Sequence, residues 1–244
     1  MALAPFTRLT KFSQDGYESL TPSEICLVVH GIPSLREGSF ACSVQSEDIS
    51  LTPTGVKHLT DLRIRFRCVE SQNQAEILQQ LVKCIAGSSQ LRRLELVATG
   101  RKPKVLGGDL VLNHILPVHG ETLQKLKIPN LHPSNGVLKR TILRCKQLRA
   151  LWLGISQNMK AQLPILLAAS TSLEKIRIYA KGKWDLIYVE ALFHQTCQSL
   201  SVFKVCATSG YQRRKSVWKS QWEYDSLLKQ PVRKVLGPTA IQYP

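Results

Sequence analysis

Acid is what this chain of 244 residues has least of: 17 Asp and Glu stand against 33 Lys and Arg, a formal net charge of +16. That shortage calls for an acidic counterpart, whether nucleic acid, an anionic membrane surface or an acidic protein face. Long apolar runs are missing too. No stretch approaches the roughly 18 apolar residues of a membrane span, and the opening "MALAPFTRLTKFSQDGYESL" has no apolar core of a secretory signal. A basic amphipathic helix with a bulky apolar face is absent as well, so a membrane partner is not expected. The ending "AIQYP" carries no lipidation or retention signal. Seven cysteines is an odd number, at no regular spacing, which excludes a disulfide framework and predicts free thiols in a reducing compartment. An intracellular location, cytoplasmic or nuclear, is therefore expected.

Catalytic signatures are the next absence. There is no G-x-S-x-G, no phosphate-binding G-x-x-x-x-G-K-S/T, no G-x-G-x-x-G and no H-E-x-x-H. Cys26, His30 and Cys42 lack the paired spacing and fourth ligand of a zinc site. His194 and Cys197 would share a helical face, but Cys145 and Cys197 each fall three residues before an equivalent leucine, which marks both thiols as core residues. No enzyme, no cofactor and no metal are expected.

What is present is a beat. L-x-x-L-x-L, with Ile, Phe or Val as substitutes, recurs in "HLTDLRI", "QLRRLEL", "TLQKLKI", "QLRALWL", "SLEKIRI" and "SLSVFKV". The first slots are Leu59, Leu91, Leu123, Leu148, Leu173 and Leu200, at intervals of 32, 32, 25, 25 and 27 residues. Between them lie segments of helical periodicity. "QAEILQQLVKCIAG" aligns Ile77, Leu78, Leu81, Val82 and Ile85, and "SNGVLKRTILRC" opens on Ser134 as N-cap. "LVLNHILPV", "NMKAQLPILLAAS" (where Pro164 kinks the helix or delays its start) and "WDLIYVEALFHQTC" fill the other gaps. Strand then helix at this period is a solenoid unit, which cannot bury its apolar face without its neighbours.

Residues 58–209 resemble the leucine-rich repeats of the ribonuclease-inhibitor-like class, and phrases such as "ILRCKQLRALWLGIS" and "STSLEKIRIYAKG" are similar to the repeat domains of fungal F-box-type proteins. The resemblance implies an irregular α/β solenoid of six repeats, with parallel strands on a concave face and helices on the convex one. It also implies a substrate-recognition module. The chain departs from the family where Asn or Cys usually follows eight residues after the first Leu: Arg67, Thr99, Leu131, Ser156, Lys181 and Thr208 stand there, with Asn130 one place early. Loose turns follow, "PNLHPSNG" among them.

Residues 1–57 read as an N-terminal cap or a degenerate first repeat. The apolar "SEICLVVHGI" is expected as a strand, with Leu27 32 residues before Leu59. "SLTPSEICLVV" also resembles the opening of an F-box helix, at Leu20, Pro22, Glu24 and Ile25, but the Gly, Pro and Ser that follow cannot supply the module's other helices. Only a divergent F-box would bring in a ubiquitin-ligase scaffold as partner. Residues 210–244 read as a basic loop, a helix from about Trp218 and a cap whose terminal strand holds Val232. "RRKS" offers Ser216 to a basophilic kinase, although a solvated loop explains the same residues.

Strand side chains alternate faces, so the residues around the second and third slots point away from the core. Those eighteen positions hold eight cations (Arg63, Arg65, Arg93, Lys125, Lys127, Lys175, Arg177, Lys204) against the acids Asp61 and Glu95, and add Trp152 and Tyr179. Solubility alone would explain the charges, but neighbouring outward aromatics favour an interface. The expectation is a non-catalytic interaction module that holds an acidic protein on this face. Nucleic acid, tracked by the same cations, is the alternative.

Overall fold

The computed structural model describes residues 7–14, 18–44, 56–67, 69, 71–87, 89–99, 107–181, 188, 192, 199–208, 217–225 and 230–239. Ten strands make one sheet in chain order: β1 Lys11–Ser13, β2 Glu37–Cys42, β3 Asp61–Phe66, β4 Arg93–Ala98, β5 Lys125–Ile128, β6 Ala150–Gly154, β7 Lys175–Lys181, β8 Val202–Thr208, β9 Val217–Asp225 and β10 Gln230–Thr239. The first eight run parallel; β9 and β10 turn back antiparallel. Parallel neighbours need long crossovers, and these contain α1 Pro22–His30, α2 Gln72–Ala86, α3 Gly108–His119, α4 Asn135–Arg144, and the short pair α5 Gln157–Lys160 and α6 Leu163–Ala168. The protein is α/β, as expected. No helix among the described residues is long and apolar enough to cross a membrane.

The beat sets the register. Leu62, Leu94, Leu126, Leu151, Ile176 and Phe203 stand side by side across six strands, and the first-slot leucines of these six, Leu59 to Leu200, are all buried. The inward residues join the apolar faces of the helices in one core. Helix starts follow local chemistry. Ser71 and Gln74 form a reciprocal capping box on α2, the Ser134 hydroxyl accepts the Val137 amide, and Pro164 lies in the first turn of α6, where its missing N–H costs nothing. Asn130 places its side-chain oxygen 3.1 Å from the Ala98 amide, serving the turn that Leu131, which is buried, cannot.

One expectation at the N-terminus is corrected, and another is filled in. "SEICLVVHGI" is helix, not strand: Pro22 and the Thr21–Glu24 capping box start α1, which buries Ile25, Cys26 and Val29 and leaves Leu27 67% exposed. The sheet also begins earlier than Leu59, because β1 and β2 precede it. Their beats are Leu9-x-x-Phe12 and Leu35-x-x-Gly38-x-Phe40, 26 and 24 residues apart from the next. Gly38 hides the motif by occupying the second slot; a Cβ there would sit 2.8 Å from the Phe40 ring, so Phe40 fills the leucine's space.

At the other end the helix expected from Trp218 is strand β9. "VWKSQWEYD" alternates aromatic or small residues with polar ones, which is strand periodicity, and aromatics favour strands. β10 contains Val232, but it pairs antiparallel rather than as a further parallel beat. The helix expected over 184–197 lies outside the described residues except for Tyr188 and Leu192, both helical. Cys197, His194, Ser216 and the basic loop at 213–216 also lie outside them.

One backbone device recurs at every parallel joint. The carbonyls of Thr10, Arg36, Thr60, Arg92, Gln124, Arg149 and Glu174 each accept two consecutive amides from the start of the next strand, at 2.7 to 3.1 Å. Beside this ladder, the hydroxyls of Ser34, Thr122, Ser172 and Ser199 donate to the carbonyls of Leu9, Leu91, Leu148 and Leu173. Each of these hydroxyl residues directly precedes a first-slot leucine.

Candidate functional site: the polar face of the sheet

Because the apolar slots all point one way, the residues between them line the opposite face in rows set by the register. One row runs Ser39, Arg63, Glu95, Lys127, Trp152, Arg177, Lys204 from β2 to β8. A second runs Glu37, Asp61, Arg93, Lys125, Ala150, Lys175, Val202. A third runs Ala41, Arg65, Val97 over β2 to β4 and brings Gly154 beside Tyr179. All ten residues expected on this face from the beat are therefore on it.

The face divides electrostatically. Over β1 to β5 the cations are already answered from within the fold. Lys11 pairs with Glu37 at 2.9 Å and Arg93 with Asp61 at 3.3 Å. Glu95 collects Lys125 at 2.8 Å, Lys127 at 3.3 Å and Arg63 at 3.6 Å. Arg65 donates from Nη2 to the Gln14 carbonyl at 3.0 Å. A recess of about 350 Å³ opens here, rimmed by Lys11, Glu37, Asp61, Arg63 and Arg93.

Burial works against the Glu95 charge, but the hydrogen bond from Lys125 and the charges of Lys127 and Lys125 outweigh it and hold its carboxyl below the usual range. Lys127 shows the opposite balance. Its side chain is 18% exposed, and burial draws its pKa below that of a free amine although Glu95 opposes this, because Arg63 and Lys125 add like charge. In this cluster Glu95 gains the attraction and Lys127 bears the desolvation.

Over β6 to β8 the arrangement differs. No outward position described on these strands carries a carboxylate, and among the described residues Lys175, Arg177 and Lys204 form no ion pair. Trp152 lies at the boundary. Its ring has the Arg177 guanidinium carbon at 4.1 Å, Lys127 Nζ at 4.5 Å and Lys125 Nζ at 5.0 Å. Each such contact contributes about 0.5–1 kcal/mol when exposed and about 2 when desolvated. Arg149, one position off the face, pairs with Glu174 at 3.8 Å and takes no part.

Four cysteines and one histidine elsewhere are occupied in packing. Cys26, Cys42, Cys84 and Cys145 are free and buried, and burial pushes the thiols of Cys26, Cys42 and Cys145 up to about 11, 12 and 12, away from the reactive thiolate. His119, also buried, accepts the Leu91 amide at Nδ1 and lies where burial lowers its pKa to about 4.

What the beat did not reveal was the division of the face. The acids and the equivalence of positions from strand to strand were visible, but not that Glu95 collects Arg63, Lys125 and Lys127 together. No model of a known protein family matches the chain, and no curated protein matches it at a significant level.

Proposed function

We propose that the chain is a leucine-rich-repeat solenoid of the ribonuclease-inhibitor-like class that acts as a non-catalytic recognition module and holds an acidic protein on the polar face of its sheet. The observation that carries this reading is the excess charge over β6 to β8. Lys175, Arg177 and Lys204 are presented beside Trp152 and Tyr179 with no acid of their own strands to neutralise them. A partner supplying carboxylates there gains charge complementarity, and the aromatics supply contact area.

The chain-order strands, the register of the leucine slots and the carbonyl ladder support the repeat reading. The resemblance to F-box-type proteins extends to the recognition half alone. The helix that resembles an F-box opening, α1, buries Ile25 and Val29 in the common core and has no apolar face left at those positions for a ubiquitin-ligase scaffold. Nucleic acid is the second reading, since it rests on the same cations. A base stacking on Trp152 would have to displace the Arg177 guanidinium, which disfavours it.

The test is affinity capture by the tagged chain, with and without nuclease, beside a Lys175→Glu, Lys204→Glu variant. Neither side chain has a partner among the described residues, and reversing them relieves like-charge repulsion, so the variant should fold and melt no lower than wild type. Nuclease-resistant acidic proteins lost in the variant are the expected result. Capture that vanishes with nuclease makes the face a phosphate reader, and capture that survives in the variant moves the site elsewhere.

A further inference from the structure

We infer that Arg177, laid over the indole of Trp152, is the two-pronged receptor that anchors the acidic partner through a single oxyanion. The oxyanion is a side-chain carboxylate or the phosphoryl group of a phosphorylated residue on an extended peptide segment. The inference rests on the recognition reading above and adds where on the face the partner is held.

Three observations converge on this residue. The guanidinium carbon is 4.1 Å from the centroid of the Trp152 ring. An arginine laid on an aromatic ring uses its flat face, which leaves the N–H groups in its plane for bidentate bonding to an oxyanion. Its Nε is buried with no acceptor among the described residues, so the fold as described leaves part of its hydrogen-bonding capacity unused. Arg63 and Arg93, on the same face, each have a carboxylate within 3.6 Å, so Arg177 is set apart by what it lacks.

The surroundings fix both position and charge. Lys125 and Lys127 also lie over the indole and are themselves held by Glu95, so the ring is positioned by groups tied to the neighbouring strands. Lys204 stands directly opposite Arg177 in the sheet, and Lys175 lies two residues before it on the same strand. Three cations this close repel one another until an anion joins them. Arg177 is also half-buried, where a charge-assisted bond is stronger than in open water.

The experiment uses the full chain and fluorescein-labelled peptides of one length: a glutamate-rich peptide, the same peptide with a central phosphoserine, and a glutamine-substituted control. Binding is read by polarisation for wild type, Arg177→Lys, Arg177→Gln, Lys204→Gln and Arg63→Gln, with thermal melts to confirm folding. The expected result is saturable binding of the acidic peptides, weakened about tenfold or more by Arg177→Lys, which keeps the charge and loses the fork. Lys204→Gln should weaken binding by a factor of about two to three, as a flanking charge does, and Arg63→Gln should leave it unchanged. A gain for the phosphoserine peptide that Arg177→Lys erases identifies the phosphoryl group as the source; equal affinities identify the carboxylate.

Binding to Arg177→Lys within about twofold of wild type, while the Lys175→Glu, Lys204→Glu variant fails to bind, overturns the anchor and leaves the acidic-partner reading standing. Absence of saturable binding to any acidic peptide overturns both. Tighter binding of a single-stranded oligonucleotide of matched charge, insensitive to Arg177→Lys, also overturns both, in favour of nucleic acid.

Discussion

Glu95 shows how one residue sets the character of a surface. It converts three cations from ligand-seeking groups into structure, and its removal would free all three at once. Lys127 is the most buried of them, so charge reversal there tests stability rather than binding. Lys127→Glu sets two carboxylates together in a half-buried site and should lower the unfolding free energy by roughly 2–4 kcal/mol. Lys127→Met, which removes the charge and keeps the volume, should fall within about 1 kcal/mol of wild type. Urea titrations of both variants check this pair. His119 provides a second residue-scale test. Its folded pKa, about 4, lies below the ordinary imidazole value of 6.5, so its contribution is complete above pH 6.5 and is lost as pH falls toward 4. The steepest loss from this one group is about 1.4 kcal/mol per pH unit. The wild-type stability profile should therefore bend downward below pH 6.5, and His119→Gln should remove that bend. Coincident profiles would contradict the burial assigned to this histidine.

Among the elements, the six strands that carry leucine, isoleucine, phenylalanine or valine in every slot were legible from the beat alone. So were the helices that begin on a serine cap. β1 and β2 were not: Gln14 breaks the beat at the third slot of the first, and in the other Gly38 stands where a leucine is looked for and its space is filled by Phe40, a contact no local pattern reveals. Leu27 misled for the opposite reason: it has the right spacing but lies on the exposed side of a helix that Thr21, Pro22 and Glu24 start. β9 was readable by its period-two alternation, which the two tryptophans obscured by suggesting a helical face. The ten face residues were legible as a set, since alternation places them. Which of them are free to bind was not, because that depends on which long side chains reach across the strands to Glu95, as Arg63, Lys125 and Lys127 do.

The register itself is open to a one-residue test. Leu151→Asp buries a charge with no partner and should abolish the cooperative unfolding transition, whereas Ala150→Asp, one position along on the polar face, should fold. Circular dichroism melts separate the two. Gly154 offers a subtler probe. A Cβ there would lie 2.6 Å from the Pro129 carbonyl, so Gly154→Ala should cost about 1–3 kcal/mol by overpacking between β5 and β6.

For the whole molecule, a charge of +16 on 244 residues implies self-repulsion that the three face acids offset only locally. Added salt screens it, so the melting temperature should rise between low and moderate sodium chloride, while affinity for an acidic partner falls over the same range. A polyanion that binds the face should raise the melting temperature further; a saturating ligand at about 100 times its Kd contributes about 2.7 kcal/mol. Measuring both in one salt series separates screening from binding, since the two move in opposite directions.

The ladder of doubly accepting carbonyls has a consequence for how the chain comes into being. Each carbonyl waits for the two amides that begin the next strand, and substantial contacts among the described elements run only between neighbours. A segment leaving the ribosome finds the edge it docks on already made, and its own carbonyl waits in turn for the segment after it. The protein can thus be laid down course by course, like brickwork, from its amino end. Among the described strands β9 and β10 alone reverse direction, and they can pair once synthesis has passed β8.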